Sequence, residues 1–348
     1  MKPAILITGG AGYIGCHTSY LFSQNGYKVL ILDTLVHEQL FNHTWATLIK
    51  KDFSDEETLK LIFKNYNIKA VMHFAAFIEV GQSVKDPLRF YENNVNKTIK
   101  LLKIMLAHGV DTFIFSSSCA VYGSPEYLPL TEDHPKNPMS PYGRNKLIIE
   151  MALEDFKKAY GLQYISLRYF NAAGAMPKLG LGEQHKPETH IIPLILRAAR
   201  EQKPFYIFGN NHPTQDGSCV RDYIHVWDIA HAHWLAFQYL IQGNPADSFN
   251  LGTGNGFSVR QIIRSVEKVC GYKVKTINAK KREGDPPLLI ADPAKVFTIL
   301  GWKPRYSDLD HIIETAHAFE QQLQRRLGAQ TGFLTEKINK NQINQSSG

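Results

Sequence analysis

The chain has 348 residues, 44% of them hydrophobic, with a formal net charge of +7 and a pI near 9.0. That length supports one or two buried cores, and no apolar run approaches the roughly 18 residues of a membrane span. Its opening, MKPAILITGG, has too short an apolar stretch before the glycines for a signal peptide, so a cytoplasmic location is expected.

From Ala4 the chain alternates short β-branched runs with longer segments of helical period: AILIT, YKVLIL, AVMHF, DTFIFSS and LQYISLRYF. This rhythm predicts a doubly wound α/β fold of Rossmann type, with a parallel sheet wrapped by helices. The first turn, ITGGAGYIG, follows a strand and opens a helix, placing Gly9, Gly12 and Gly15 at G-x-x-G-x-x-G spacing. Glycines there let backbone amides and the helix N-terminus approach a pyrophosphate, with Tyr13 and Ile14 between them. The second strand ends in Asp33, about 20 residues on, where a carboxylate bonds an adenosine ribose 2′-hydroxyl and repels a 2′-phosphate. NAD is therefore the expected cofactor rather than NADP.

The fourth predicted strand ends in Ser116, Ser117 and Ser118, and YGRNK follows with Tyr142 and Lys146 at i and i+4. One helix face then carries both, and a cation near a phenol favours the phenolate, a usable base. Ser118 would share a proton with Tyr142 or orient a substrate hydroxyl. Ser116 and Ser117 have an equally simple use as backbone partners at the strand end.

Beyond Asn171 the rhythm loosens into two long loops, GAMPKLGLGEQHKPETH and GNNHPTQDGS, of the kind that carries ligand contacts on such scaffolds. Helical stretches at 191–202, 226–242, 259–270 and 309–326 predict a smaller α/β substrate-binding domain over 171–330. Residues 1–170 form the expected cofactor domain, with a returning segment near 215–245, and the Asn/Gln-rich 331–348 a polar tail. The four cysteines, Cys16, Cys119, Cys219 and Cys270, lack disulfide or zinc-ligand spacing. His231 and His233, at i and i+2, diverge on a helix, so no metal is expected. The positive charge is scattered among acids and shows no basic stripe, which argues against a nucleic-acid partner.

In order across residues 8 to 285, TGGAGYIG, HFAA, NNVNKT, FSSSCAVYG, SPYGRNK, RYFNAAGA, RDYIHV and REGD resemble the extended short-chain dehydrogenase/reductase superfamily, and within it the UDP-glucose 4-epimerase family. The resemblance implies Ser118, Tyr142 and Lys146 as the catalytic set, with Tyr142 and Lys146 also at the cofactor and Lys146 touching the nicotinamide ribose, and Asp52, Phe74, Ala75, Asn93 and Tyr169 around NAD. For a UDP-sugar substrate it implies Asn171, His190, Ile191, Arg221, Arg282 and Asp285. Leu289 falls where residue size is thought to gate N-acetylated sugars. The implied reaction is inversion at C4′ through a 4-keto sugar, interconverting UDP-glucose and UDP-galactose; UDP-N-acetylhexosamine and UDP-pentose substrates are alternatives, as is a non-catalytic NAD or nucleotide-sugar sensor.

Three stretches depart from the family pattern. TLVHEQLF follows Asp33 where NLS is frequent, Ile78 and Glu79 stand where some members carry a lysine, and Leu289 is of intermediate size. Cys119 and Ala120 fill places where dehydratases and decarboxylases carry a carboxylate, which favours plain epimerisation; Cys119 itself reads as packing. The helix from Tyr142 has apolar residues too widely spread for one stripe, so a homodimer is expected through it and VNKTIKLLKIMLAHG.

Overall fold

The structure, a computed structural model of the chain, describes residues 1–35, 43–282 and 286–326. Its first half runs β1 (Pro3–Thr8), α1 (Tyr13–Gln24), β2 (Lys28–Asp33), β3 (Ala46–Lys50), α2 (Glu56–Asn65), β4 (Asn67–His73), the short α3 (Val80–Lys85) and α4 (Pro87–Phe90), a π-helical turn at Tyr91–Asn96, α5 (Lys97–Ala107), β5 (Thr112–Ser118), α6 (Pro141–Tyr160) and β6 (Gln163–Tyr169). It continues through β7 (Asn171–Ala173), α7 (Ile191–Glu201), β8 (Phe205–Phe208), β9 (Val220–His225), α8 (Val226–Ile241), β10 (Asp247–Leu251), β11 (Gly256–Ser258), α9 (Val259–Cys270), β12 (Thr276–Ala279), β13 (Leu288–Leu289) and α10 (Ala294–Leu300). Residues 309–326 are helical.

Seven strands, all parallel, form the central sheet in the order β10-β6-β5-β4-β1-β2-β3. Such a sheet is covered on both faces, so its strands read as near-continuous apolar runs. Alternate residues feed two cores: Ile5, Ile7, Val29 and Ile31 pack with Phe22 of α1 and Phe237 of α8, whereas Ala4, Leu6, Leu30 and Leu32 pack with Leu59 of α2 and Leu101 of α5. The order reverses between β1 and β4, and ligands bind at such a switch point, beyond the carboxyl ends of the strands.

Two strands of this sheet escape the sequence pattern. β3 (ATLIK) is an edge strand with partly exposed side chains, and β10 (DSFNL) opens on two polar residues, so neither shows a β-branched run. β10 carries the chain back to the first sheet as far as Leu251, beyond the stretch near 215–245 expected to return. A third core gathers Ile192, Ile195 and Leu196 of α7, Ile262 and Val266 of α9, Tyr223 of β9 and Ile312. Around it lie a small sheet in which β11, β13 and β7 all pair with β9, and the parallel pair β8–β12. The 331–348 tail lies outside the described residues. Among those described, no helix is long and apolar enough to cross a membrane.

Asp228 clasps the chain beyond α10 to α8. Its buried carboxylate accepts from the Arg305 and Tyr306 backbone N–H groups, both at 2.9 Å, and from Ser307 Oγ at 2.7 Å. Removing the acceptor leaves these donors unpaired, at about 1–3 kcal/mol for a buried group. Asp228→Ala is predicted to lower unfolding stability by about 2–4 kcal/mol. Chemical denaturation reads this directly, and an unchanged midpoint would show that residues 305–307 find other partners.

Candidate active site

The turn after β1 is built around glycines that tolerate no side chain. Gly9 has φ +68°, and a Cβ there would lie 2.5 Å from the Ala75 backbone nitrogen; at Gly15 it would lie 2.4 Å from the Gly9 carbonyl oxygen. Gly12 is the N-cap of α1 and supplies no capping side chain, so the positive end of the helix faces the crevice. A groove of about 190 Å³ opens there, lined by Gly9, Gly12, Tyr13, Ile14 and Gly15 together with Asp33, Asp52, Phe74, Ala75 and Asn93. All of these are residues that the sequence pattern or the family resemblance assigns to a dinucleotide. Asp33 closes the end of β2, its carboxylate accepting from the Ala11 and Leu35 N–H groups at 3.1 and 2.8 Å.

Asp52 pairs with Lys97 at 2.6 Å, and Lys97 also donates to Asn93 Oδ1 at 3.3 Å. Burial would raise the Asp52 pKa, but hydrogen bonds from Lys97 and Ser54 outweigh it and hold the carboxylate below its usual range. Asn93 sits in the π-helical turn, a distortion frequent at functional sites, and neighbouring Asn94 clamps the Phe77 backbone N–H and carbonyl. Neither Lys97 nor this turn was singled out from the sequence, and the only signal for them is the NNVNK stretch itself.

The three serines of β5 have different partners. The Ser116 carbonyl accepts from Lys146 Nζ at 2.6 Å, Ser117 Oγ donates to Glu150 at 2.6 Å, and Ser118 Oγ accepts from the Ala120 N–H at 3.2 Å and hydrogen-bonds the Tyr142 phenol. Ser118, the last residue of β5, is the serine that bonds the tyrosine. Ser140 caps α6 by accepting from the Gly143 N–H at 3.1 Å, with Pro141 in the first turn, as SPYG foreshadows. Gly143 is a residue the sequence analysis missed. A Cβ there would lie 2.5 Å from the Ala120 carbonyl oxygen, so glycine lets the start of α6 lie against the turn after Ser118.

Lys146 Nζ lies 5.7 Å from the centre of the Tyr142 ring, on the same helix face. The electrostatics differ from the simple expectation of a cation that lowers a phenol's pKa. Burial pushes Lys146 down to about 7, against the pull of Glu150, and burial pushes Tyr142 up to about 12 despite the Ser118 hydrogen bond. Desolvation is the largest influence on both groups, and Lys146 is buried against β5. Cys119, also raised to about 12 by burial, is protonated near neutral pH and is no nucleophile.

Tyr169, expected near NAD, is buried at the end of β6. Its hydroxyl bonds Ser116 and His233, and the His233 ring packs 4.6 Å from Phe74, so it backs the groove without lining it. Of His231 and His233, it is His233 that bonds Tyr169.

Asn171, His190, Ile191, Arg221 and Arg282 are brought together around a separate cavity of about 520 Å³. Arg282 stacks over the Phe208 ring at 3.9 Å, and Asn171 Nδ2 donates to the Asp222 carbonyl at 2.9 Å. His190 is the N-cap residue of α7; burial opposes its charge, but Glu183 and Glu188 outweigh that and push it up to about 10. Leu289 pairs in register with Arg221 without itself lining the cavity. Asp285 lies outside the described residues, as does most of the TLVHEQLF stretch after Asp33.

A doubly wound parallel sheet with a glycine cradle, an acidic strand end and a serine–tyrosine–lysine cluster beside them defines a dinucleotide-dependent enzyme of the extended short-chain dehydrogenase/reductase class. Within that class the chain belongs to the NAD dependent epimerase/dehydratase family, which matches residues 5–252. The UDP-glucose 4-epimerase of Halalkalibacterium halodurans is 47% identical over 90% of this chain and 94% of its own. Among solved structures, UDP-glucose 4-epimerase from Brucella ovis in complex with NAD has a TM-score of 0.86 at 43% identity, covering 91% of this chain and 98% of that one. The UDP-glucose-4-epimerase from Stenotrophomonas maltophila with bound NAD and formylated UDP-arabinopyranose has a TM-score of 0.88 at 36% identity, covering 93% and 99%.

Beneath the site, Glu150 and Arg168 form a buried bidentate ion pair at 2.9 and 2.7 Å. Breaking such a pair from one side costs about 3–5 kcal/mol. Glu150→Gln is predicted to lose stability of that order in a denaturant titration; a loss below about 1 kcal/mol would mean that Arg168 finds another partner or reaches water. Lys146 gives a pH signature. Below about pH 7 the amine is protonated in folded and unfolded chains alike; between about 7 and 10.5 only the unfolded chain holds that proton, so stability from this group rises with pH across the window. Lys146→Met is predicted to remove that rise when unfolding is measured from pH 6 to 10, and an unaltered profile would exclude a depressed Lys146.

Proposed function

We propose that the protein is an NAD-dependent 4-epimerase that interconverts UDP-glucose and UDP-galactose through a 4-keto sugar. The observation carrying this reading is the meeting of Ser118, Tyr142 and Lys146 at the carboxyl end of β5, beside a dinucleotide-shaped groove and within the same fold as an arginine-bearing cavity of nucleotide size. Gly9, Gly12, Tyr13, Ile14 and Gly15 would cradle the cofactor pyrophosphate, Asp33 its adenosine ribose, and Asp52, Phe74, Ala75 and Asn93 the remaining walls, with Tyr169 behind. The chemistry that NAD would supply when bound there is acceptance of a hydride from the sugar and its return.

Tyr142 would accept the 4′-hydroxyl proton in its phenolate form, which a protonated Lys146 and the positive charge of a bound nicotinamide would favour against burial, as that hydroxyl becomes a carbonyl; Ser118 would share the proton, and Lys146 would hold the nicotinamide ribose side of the site. Arg221 and Arg282 suit the UDP diphosphate, because a guanidinium forks onto phosphate oxygens. Asn171, His190 and Ile191 line the same cavity, and Asp285 is assigned to a ribose hydroxyl. Anchoring only the UDP end leaves the keto sugar able to turn over and receive hydride on its other face. Leu289, in register with Arg221, is the residue that the family resemblance would assign to the sugar's C2 substituent.

A homodimer fits the exposed apolar side chains of Ile148 and Met151 on α6 and of Val84 and Leu88 on the adjoining short helices. Four free cysteines suit a reducing, cytoplasmic setting.

Purified protein without added cofactor should convert UDP-galactose, and separately offered UDP-N-acetylgalactosamine or UDP-pentose shows by proton NMR how far Leu289 restricts the sugar. Tyr142→Phe should retain NAD and the fold while losing about 10²- to 10⁴-fold in turnover. Binding of UDP-sugars with no conversion, even after NAD is supplied, would replace this reading with that of a sensor.

A further inference from the structure

The loop joining β7 to α7 carries Glu183, His185, Glu188 and His190, and one candidate ligand atom from each lies within 4.8 Å of all the others. The Glu183 and Glu188 side chains are only 8% and 3% exposed. Two buried carboxylates are costly unless cations match them. Among the described residues their ion-pair partners are the two imidazoles alone. His190 Nδ1 stands 2.5 Å from Glu183 Oε1 and 3.0 Å from Glu188 Oε1, and His185 Nδ1 stands 3.1 Å from Glu183 Oε1.

The same atoms that form this ring are those a cation would take. Bonds of about 2.0–2.2 Å in a tetrahedral set place neighbouring ligand atoms about 3.3–3.6 Å apart, a spacing that small side-chain rotations reach from the observed one. Two imidazoles and two carboxylates, with no thiolate, are a donor set for zinc or a similar borderline divalent ion, whose charge the carboxylates balance. Support for the ligands is already in place: Glu188 Oε1 accepts from the Thr189 and His190 backbone N–H groups at 2.7 and 2.8 Å, which orients that carboxylate.

We propose that Glu183, His185, Glu188 and His190 form a closed, structural site for a divalent transition-metal ion, zinc fitting best. With four protein ligands it has no open position for chemistry. His185 also lines the dinucleotide groove and His190 the 520 Å³ cavity, so the ion would pin a loop that touches both. The inference stands apart from the epimerase reading, since metal binding is measured without substrate.

The test uses the full-length protein stripped with chelator and titrated with zinc alone, bound metal being counted by atomic spectrometry. One zinc per chain is expected, with a thermal midpoint that rises with zinc concentration, and at least tenfold weaker binding in His185→Ala and in Glu183→Gln. Cobalt(II) bound to the wild-type chain, which avoids any folding defect of a variant, should show the intense visible absorption of a four-coordinate site. Less than stoichiometric zinc, equal affinity in both variants, or only the weak bands of six-coordinate cobalt would each overturn the proposal.

Discussion

The pair between Glu150 and Arg168 is the constraint on which the site's geometry rests. Tyr142, Lys146 and Glu150 follow one another at four-residue intervals along α6, so they share a face. Two parallel hydrogen bonds from the Arg168 guanidinium fix the Glu150 carboxylate against β6, and Ser117 ties the same carboxylate to β5. With one end of the face held, the rotation of the helix is no longer free. Tyr142 is thereby aimed at Ser118, and Lys146 at the Ser116 carbonyl. Tyr122, Glu132 and Asn250 extend the network to β10 through bonds at 2.6–3.2 Å, and leave Arg168 well satisfied. A buried ion pair contributes little net stability, so its effect here is better described as geometry than as strength.

Above that anchor, burial sets the protonation states. It drives both the lysine and the tyrosine toward their neutral forms, the lysine far enough to sit near neutrality. A group whose pKa lies close to the working pH changes charge at little cost, which is the property proton transfer requires. On the proposed function, the lysine would act less as a permanent charge than as a group that gains or loses its proton as its neighbours change. Glu150, one turn away, opposes the desolvation and keeps that balance from falling entirely to the neutral amine.

Most of the first sheet was legible because parallel strands covered on both faces must be apolar along their length, and AILIT, VLIL and FIF are. The cradle was legible for a related reason: Gly9 and Gly15 are each forced by a backbone contact within three ångströms of where a Cβ would stand. Strands β3 and β10 were not, since edge position relaxes the need for apolar side chains. Gly143 and the π-helical turn were hidden because their meaning lies in what packs against them, and one strand of text carries no record of that. The protonation states were hidden likewise: Tyr and Lys four apart predict a neighbourly cation, and only the depth of the pair reveals that desolvation outweighs it.

The stretch that looked loosest, 174–190, turns out to be held on every side. Tyr13 of α1 donates to the Gly174 carbonyl at 2.5 Å, and a Cβ at Gly182 would lie 2.2 Å from the Phe319 ring. Glycine and proline mark a segment as non-repetitive, yet say nothing of its mobility; tight packing against other elements demands the same small residues that flexibility does. Because this segment walls the dinucleotide groove at His185 and the larger cavity at His190, its position sets how the two cavities face each other. Any reaction that passes a hydride between ligands in them depends on that spacing to within a fraction of an ångström, and reactivity falls steeply with misplacement. A loop anchored by α1, by the helix at 309–326 and by its own ring of carboxylates and imidazoles is suited to hold it.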